Sequence, residues 1–523
     1  MAGRCPISIA RPMRPSSAMR TGSANRARTR SSRAWRAAGP RSSQRPARSR
    51  RSSRAAAPAP PSRATSTQPA RRWMRCSAIT PTWLSARACW LSVISTSIGF
   101  GCGIASCTHG WRRRSSMKRS ILAVTSQLPW PLNTGGHLRT FHVLRGLSEH
   151  FRVRLVAAAD ANRADAVAAL RDRGIDVTPV VVGPRTATRE AVRAAAAAAA
   201  RQPYVMYRRH YWPAVAAELV RQSQLRATDL LYLDHLDSYA YRRLLPRLRA
   251  ILDLHNVYST IAGRAADEQT SKLARMYLRH EARLLRRRER DAARGCDAVL
   301  AVSDEEARVY RGLGARAVTL APNGVDCAAY ADLPTGRPHA APTLLYVGPM
   351  SWAPNAAAVT FLAREVMPRL RSVVPDARLR IIGRDMTSAV QALADGDGVD
   401  VLGMVPSMPP HLLEASVLAV PLETGGGTRL KILEAFAAGL PVVSTAVGCE
   451  GLRVVDREHL VVADRAGFAE ALIAALRDPA AGAERAARAR ALARDCYDWR
   501  MVGVTACASI ERLWATGPAI ACS

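Results

Sequence analysis

Residues 416–445 read SVLAVPLETGGGTRLKILEAFAAGLPVVST. An apolar run of strand length (416–423) meets three consecutive glycines, Gly425, Gly426 and Gly427. The spacing of apolar residues then predicts a helix over 428–438, followed by a second short apolar run at 441–445. A strand, a tight turn, a helix and another strand make a βαβ unit, which places its two strands in parallel. The same rhythm extends upstream through TLLYVG (343–348), ARLRIIG (377–383) and VDVLGMV (399–405), and downstream through HLVVAD (459–464). Before a polar, Pro/Gly-rich link it occurs once more: Ile121–Val124, RVRLVAA (152–158), DVTPVVV (176–182), DLLYLDH (229–235), AILDLHNV (250–257) and DAVLAVS (297–303), with one long helix expected over 259–293. Short apolar runs alternating with helices predict α/β architecture, here two Rossmann-like doubly wound domains facing across a cleft. The expected divisions are an N-terminal extension 1–116, a first domain 117–330, a linker 331–342, a second domain 343–505, and a terminal helix and tail 506–523.

Charge separates the extension from the rest. The chain of 523 residues carries a formal +35, but residues 1–116 contain 23 Arg and no Lys, Asp or Glu, which leaves +12 for 117–523. The excess is therefore not the footprint of one nucleic-acid-binding globule, and no aromatic–basic interleaving appears. The extension has no helical or strand period and is expected to be disordered or a mis-called upstream reading, with the protein starting at Met117. Its uncharged stretch 88–110 is long enough for a bilayer but rich in Ser, Thr and Gly, so its drive to insert is weak. The six cysteines after Met117 are scattered without a CxxC, which argues for a reducing compartment.

The glycine turn carries the chemistry. Three residues without a Cβ let a ligand approach the backbone, and the helix beyond presents unpaired N–H groups and a positive dipole end. Arg429 and Lys431 add cations to the first turn, where the macrodipole favours carboxylates. An anion resolves that conflict. Thr428, Lys431 and Glu434 share one face, offering a hydroxyl, an ammonium and a carboxylate to a single ligand. The alternative is a plain loop with a Lys–Glu surface pair. No GxxxxGK[ST] is present, so a P-loop nucleotidase is not supported.

With these residues the chain resembles the family-4 retaining glycosyltransferases of the GT-B fold (glycosyltransferase group 1 type). Further pieces follow in the family's order: the Gly135–Gly136 loop, DLHN (253–256), AVS (301–303), PNGVD (322–326), YVGPMSWAPN (346–355) and the late DW (498–499). The resemblance implies transfer of a sugar, with retained configuration, from a nucleoside diphosphate sugar to a glycan or lipid-linked acceptor, in surface polysaccharide or glycolipid biosynthesis. It implies the donor in the second domain and the acceptor in the first. It implies that Glu434 bonds the nucleotide ribose, that Gly135 and Gly136 admit the donor phosphates, and that His255 lies over the donor sugar. The family's partner glutamate falls on Gly426 and is absent, and the loop GPMSWAPN lacks the family's diphosphate-gripping Arg and Lys. Arg429 and Lys431 are expected to serve in their place. No cofactor and no metal is expected; Asp395–Gly396–Asp397 reads as a turn. Arg139, one turn beyond Gly136, is read either as added charge at the phosphates or as solvated helix charge.

The segment RLLRRRERDAAR (283–294), with Leu273, Met276 and Tyr277 before it, reads as a basic amphipathic helix able to lie on an anionic membrane surface. This fits a cytoplasmic protein held peripherally at the inner face of the membrane. Two other functions remain open on sequence: a nucleotide-sugar epimerase on the same fold, and a non-catalytic nucleotide-sugar-binding accessory protein.

Overall fold

The apolar runs become strands, and the central ones are buried on both faces, as parallel sheets require. The computed structural model describes residues 118–333, 341–394, 398–424 and 429–515. The N-terminal extension, Asp395–Asp397, Gly425–Thr428, most of the expected linker and the tail beyond 515 lie outside the described residues.

The first sheet contains β1 (Ser120–Thr125), β2 (Arg152–Ala159), β3 (Asp176–Val181), β4 (Leu230–Asp234), β5 (Arg249–Leu254), β6 (Ala298–Ala301) and β7 (Val318–Leu320), in the spatial order 3-2-1-4-5-6-7. The second contains β8 (Thr343–Val347), β9 (Arg378–Ile382), β10 (Val399–Gly403), β11 (Val417–Val420), β12 (Val442–Ser444) and β13 (Val461–Val462), in the order 10-9-8-11-12-13. Every pairing is parallel. Strand order reverses between β1 and β4 in one sheet and between β8 and β11 in the other. Those two switch points are where open parallel sheets bind ligands, beyond the carboxyl ends of the strands.

Helix α1 (Gly135–His150) follows β1, and the Thr134 hydroxyl caps it by accepting from the His137 N–H at 3.2 Å. The expected single helix over 259–293 is two: α2 (Tyr258–Asp267) and α3 (Lys272–Gly295). The break falls where Ser271 caps the second helix, its Oγ accepting from the Ala274 N–H at 3.4 Å. Helix α4 (Asp304–Gly312) follows β6 and α5 (Leu430–Ala438) leads out of the glycine turn. Helix α6 (Trp499–Ala515) is the last.

The chain crosses between the sheets twice at one place. Val325 and Asp498 form an isolated parallel bridge, the Val325 N–H donating to the Tyr497 carbonyl at 2.8 Å and the Trp499 N–H to the Val325 carbonyl at 3.2 Å. A Cβ on Gly324 would lie 2.7 Å from that Tyr497 carbonyl oxygen and 2.8 Å from the Trp499 ring. PNGVD and DW are thus the two strands of one crossing.

After the crossing, Trp499, Val502, Ala506, Cys507 and Ile510 of α6 join the apolar core of the first domain. The division expected after residue 505 falls inside this helix, because its apolar face is covered by α1. The two helices meet glycine to glycine: a Cβ on Gly146 would sit 2.9 Å from the Gly503 Cα. Overfilling such a contact forces the helices apart. Gly503→Leu should therefore destabilise the fold by about 1–3 kcal/mol, read as a lower denaturant midpoint with little change in slope.

Candidate functional site

At the first switch point Asp234 ends β4 and is fully enclosed. Its Oδ2 accepts from the Thr125 hydroxyl at 2.8 Å and the Thr140 hydroxyl at 2.9 Å, and its Oδ1 lies 3.1 Å from His255 Nε2. Burial alone would raise the Asp234 carboxyl; the His255 ring, with hydrogen bonds from it and from Thr125, overrides this and holds it at about 2. An ionised Asp234 orients the Nε2 proton of His255 toward itself. The other ring nitrogen, Nδ1, then faces the helix start, 3.9 Å from where a Gly136 Cβ would be. His235, the next residue after Asp234, sits in the left-handed region (φ 73°) and packs its ring 4.1 Å from that of His255. Tyr258 Oη lies 2.8 Å from His235 Nδ1. A cavity of about 200 Å³ opens here, walled by the ends of β1 and β4, the first turn of α1, His210, Asp237 and Tyr258.

Arg139 is neither solvated nor turned toward a ligand, against both readings of it. Its side chain is fully buried, Nε bonding Asp253 at 3.0 Å and Nη1 bonding the Ala321 carbonyl at 2.8 Å and Asn323 Oδ1 at 3.1 Å. Tyr232 Oη donates to Asp253 at 2.6 Å. Asp234, Asp253 and His255 form, among the described residues, a group with ligand atoms within 4.8 Å of one another. Asp253 is spent on Arg139 and Tyr232, and Asp234 on His255 and two threonines, so these side chains form a hydrogen-bond network rather than an open coordination set.

The second switch point gathers the cations. Lys431 is partly buried in the first turn of α5, with its ammonium donating to Asn355 Oδ1 at 3.2 Å and lying 4.2 Å from the Tyr346 ring centre. Tyr346 Oη donates to the same Asn355 oxygen at 2.7 Å, and Asn355 Nδ2 donates to the Pro349 carbonyl at 2.9 Å. A Cβ on Gly348 would come 3.1 Å from the Lys431 ammonium, so the loop after β8 must be bare there. Arg429 is buried at the helix start, with Nη2 donating to the Val447 carbonyl at 3.2 Å and its guanidinium 5.9 Å from the Trp352 ring. Burial, then Arg429, pushes Lys431 down to about 7, and burial pushes Glu434 up to about 7 against the pull of Lys431. The first turn of α5 contains no acidic residue.

The two sites touch. A Cβ on Gly135 would lie 3.1 Å from Leu430 Cδ1, so the loop of the first domain rests on the helix start of the second. Arg264 and Glu450 (2.9 and 3.1 Å) and Arg453 and Asp304 (2.9 and 3.1 Å) bridge the domains at the same face. The structure thus sets Gly136 beside His255 and Gly135 against Leu430, with Arg429 and Lys431 flanking Leu430 and Glu434 one turn further along α5, while Gly425, Gly426, Gly427 and Thr428 lie outside the described residues. Sequence reasoning missed Asp234, His235, Asp237 and Asn355. The polar run DHLD straight after the apolar LLYL was the signal for the first three, and the lone Asn in an apolar helix start was the signal for Asn355.

Two parallel sheets, each with its own switch point, define a two-domain doubly wound α/β protein. Residues 163–329 match the family described as Glycosyltransferase Family 4, and residues 341–478 the one described as Glycosyl transferases group 1. Together they span more than half of the chain, which belongs to this family. Glycogen synthase of Mycobacterium tuberculosis is 30% identical over 264 residues, 47% of this chain and 59% of that protein. Phosphatidyl-myo-inositol mannosyltransferase of Mycolicibacterium smegmatis is 33% identical over 227 residues, 42% of this chain and 56% of that protein. The chain spans less than two thirds of the length of these curated relatives. Sucrose-phosphate synthase of Thermosynechococcus elongatus shares the fold with a TM-score of 0.56 at 18% identity, over 76% of this chain and 100% of that one. Anabaena HepE, in complex with UDP and glucose, shares it with a TM-score of 0.53 at 14% identity, over 75% and 100%. The expected GT-B fold is therefore observed.

With burial lowering its pKa to about 7, Lys431 loses its ammonium as pH rises through neutrality, and an anion held against it would restore the charge. Nucleoside diphosphate affinity should fall as pH rises from about 6 to about 9, with net proton uptake on binding near neutrality. Calorimetric titration in buffers of different ionisation enthalpy checks both.

Proposed function

We propose that this protein transfers a sugar from a nucleoside diphosphate sugar to a glycan or lipid-linked acceptor, with retention of configuration and without a metal. The observation that carries this reading is the meeting of the two switch points, Gly135 against Leu430, with His255 on one side and Lys431 on the other. As the bond to the leaving diphosphate breaks, negative charge grows on its oxygens while the sugar becomes oxocarbenium-like. Groups already aimed at that charge stabilise the transition state more than the ground state. Lys431, Arg429 and the positive end of α5 take that role, Gly425–Gly427 lets the phosphates approach, and Thr428 adds a hydroxyl. Glu434 receives the ribose, and His255, fixed by Asp234, offers Nδ1 to a sugar hydroxyl beside the Gly135–Gly136 loop. The UDP and glucose bound to Anabaena HepE support a nucleoside diphosphate sugar as donor. The products we assign are surface polysaccharide or glycolipid.

The acceptor reaches the protein from an anionic membrane surface at the cytoplasmic side, in this reading. Lys272, Arg275, Arg279, Arg283, Arg286 and Arg290 line shallow depressions along one stripe of α3. Its acidic residues lie off the stripe: Glu281 and Glu289 are buried, and Asp291 bonds Arg288 at 3.1 Å. Leu273 and Met276 are 74% and 65% exposed at the N-terminal end of that ridge. Among the described residues no helix is long and apolar enough to cross a membrane, so the contact we propose is peripheral.

Lys431→Ala should lower kcat by about 100-fold or more, since an oxyanion donor is worth about 2.7–4 kcal/mol of barrier; near-normal turnover would defeat the assignment. Donor incubated alone should stay intact, whereas an epimerase would release nucleotide and an accessory protein would bind donor without turnover with any acceptor pool. In flotation, the protein should bind vesicles containing phosphatidylglycerol and not pure phosphatidylcholine, and about 0.5 M salt should release it.

A further inference from the structure

From Gly348 to Phe361, the loop after β8 and the helix Ala353–Phe361 contain no Lys or Arg. They contain Asn355, which is 1% exposed. Its Oδ1 accepts from Tyr346 Oη at 2.7 Å and from the Lys431 ammonium at 3.2 Å, while its Nδ2 donates to the Pro349 carbonyl at 2.9 Å. The amide has one orientation that fits. Turned over, it would set Nδ2 against an ammonium and Oδ1 against a carbonyl oxygen. Both lone pairs of Oδ1 are taken, so that oxygen has nothing left to offer a ligand directly.

The ammonium is bounded on other sides as well. The Tyr346 ring centre lies 4.2 Å away. A Cβ on Gly348 would come 3.1 Å from the ammonium and 2.6 Å from Asn355 Nδ2, so a side chain at 348 would push the pair apart. Two charged groups act on Lys431, both on α5: Arg429 opposes its charge and Glu434 favours it. Tyr346 faces it from β8, and Tyr330 acts on Glu434. Among the described residues, no charged group of the other elements packed on α5 acts on it.

We infer that Asn355 is the positioning residue for Lys431: its amide oxygen holds the ammonium at the end of β8, where the loop brings no cation of its own. The inference rests on the transferase reading for what that cation grips, and deepens it by naming the residue that places the cation. Asn355 acts through Lys431 alone. A hydrogen bond to the charged form of a group favours that form. Without the amide oxygen, burial and Arg429 work against the ammonium with less to oppose them, and Lys431 gives up its proton at lower pH. A carboxylate in the same place holds the proton to higher pH.

The test is direct because the chain has three lysines, Lys118, Lys272 and Lys431. The full chain, grown with carbon-13-labelled lysine, gives three Cε signals by NMR, and Lys431→Arg identifies the one from residue 431. Its titration midpoint should fall by about one pH unit in Asn355→Ala and rise in Asn355→Asp. The probes for binding are UDP, GDP and ADP, titrated by calorimetry. Near pH 7.5, Asn355→Ala should weaken the tightest of them by about fivefold or more, and should add less than about twofold to the loss already caused by Lys431→Ala. The inference is overturned if the midpoint stays in place in Asn355→Ala, or if that change costs as much affinity without Lys431 as with it. Asn355→Asp keeps the shape of the side chain, so where the alanine variant fails to fold, an unmoved midpoint in the aspartate variant overturns it equally. If the midpoints move as expected while none of the three nucleotides binds the wild-type protein, the positioning stands and the transferase reading falls.

Discussion

The buried pair of Arg139 and Asp253 holds the cleft in register. Arg139 projects from α1, the helix whose first two residues are Gly135 and Gly136, and Asp253 lies two residues before His255 on β5. The same guanidinium bonds the Ala321 carbonyl and Asn323 Oδ1, at the approach to the interdomain crossing. One side chain therefore fixes the glycine loop, the His255 strand and the crossing relative to one another. Desolvating two charges is expensive, and only a full set of hydrogen bonds offsets it. That condition is met here: Asp253 also receives Tyr232, and Arg139 bonds with Nε, Nη1 and Nη2. Removing one partner of such a pair typically costs about 3–5 kcal/mol, because the other is left buried and charged.

From that frame the cleft divides its chemistry by side. The second domain supplies cations and helix N–H groups to one switch point, while the first supplies carboxylates, hydroxyls and neutral imidazoles to the other. In the proposed reading a diphosphate would be matched by the first set, which would orient a nucleotide sugar across the cleft. The interdomain ion pairs Arg264–Glu450 and Arg453–Asp304 are about half exposed. Pairs of that kind contribute little stability in water. They suit a contact that forms and releases rather than one that locks.

The architecture was legible because parallel strands buried on both faces write themselves as continuous apolar runs, as in ILAV and LLYL. The terminal helix was misplaced because its apolar face pairs with a helix more than three hundred residues earlier, and sequence spacing holds no trace of a glycine–glycine contact such as Gly146–Gly503. Arg139 was unreadable for a related reason. An Arg in an amphipathic helix is normally solvated, and only the tertiary arrangement reveals four acceptor groups behind it, those of Asp253, Ala321, Pro322 and Asn323. His255 was singled out through the resemblance that DLHN carries, and Lys431 because it adds a cation to a helix start where the macrodipole favours carboxylates. The run DHLD after LLYL marked Asp234 and Asp237 as polar groups at a strand end, but only the tertiary arrangement distinguishes the fully bonded Asp234 from Asp237, whose Oδ1 has no partner.

That last distinction bears on how the site holds its energy. Lys431 and Glu434 are both displaced toward neutrality by burial, and Asp237 likewise, pushed up to about 7. Groups whose charged forms are disfavoured by their surroundings gain most when a ligand of opposite polarity replaces the missing water. Asp234 is the contrast: equally buried, yet held ionised by His255 and two threonine hydroxyls that belong to the fold. The fold surrounds the group that orients the histidine with hydrogen-bond donors, whereas Lys431 is held by Asn355 and Asp237 Oδ1 has no hydrogen-bond partner. Buried polar groups that a ligand would match raise the free energy of the empty protein more than that of a complex, so in the proposed reading part of the cost of burying them would return as discrimination between ground and transition states.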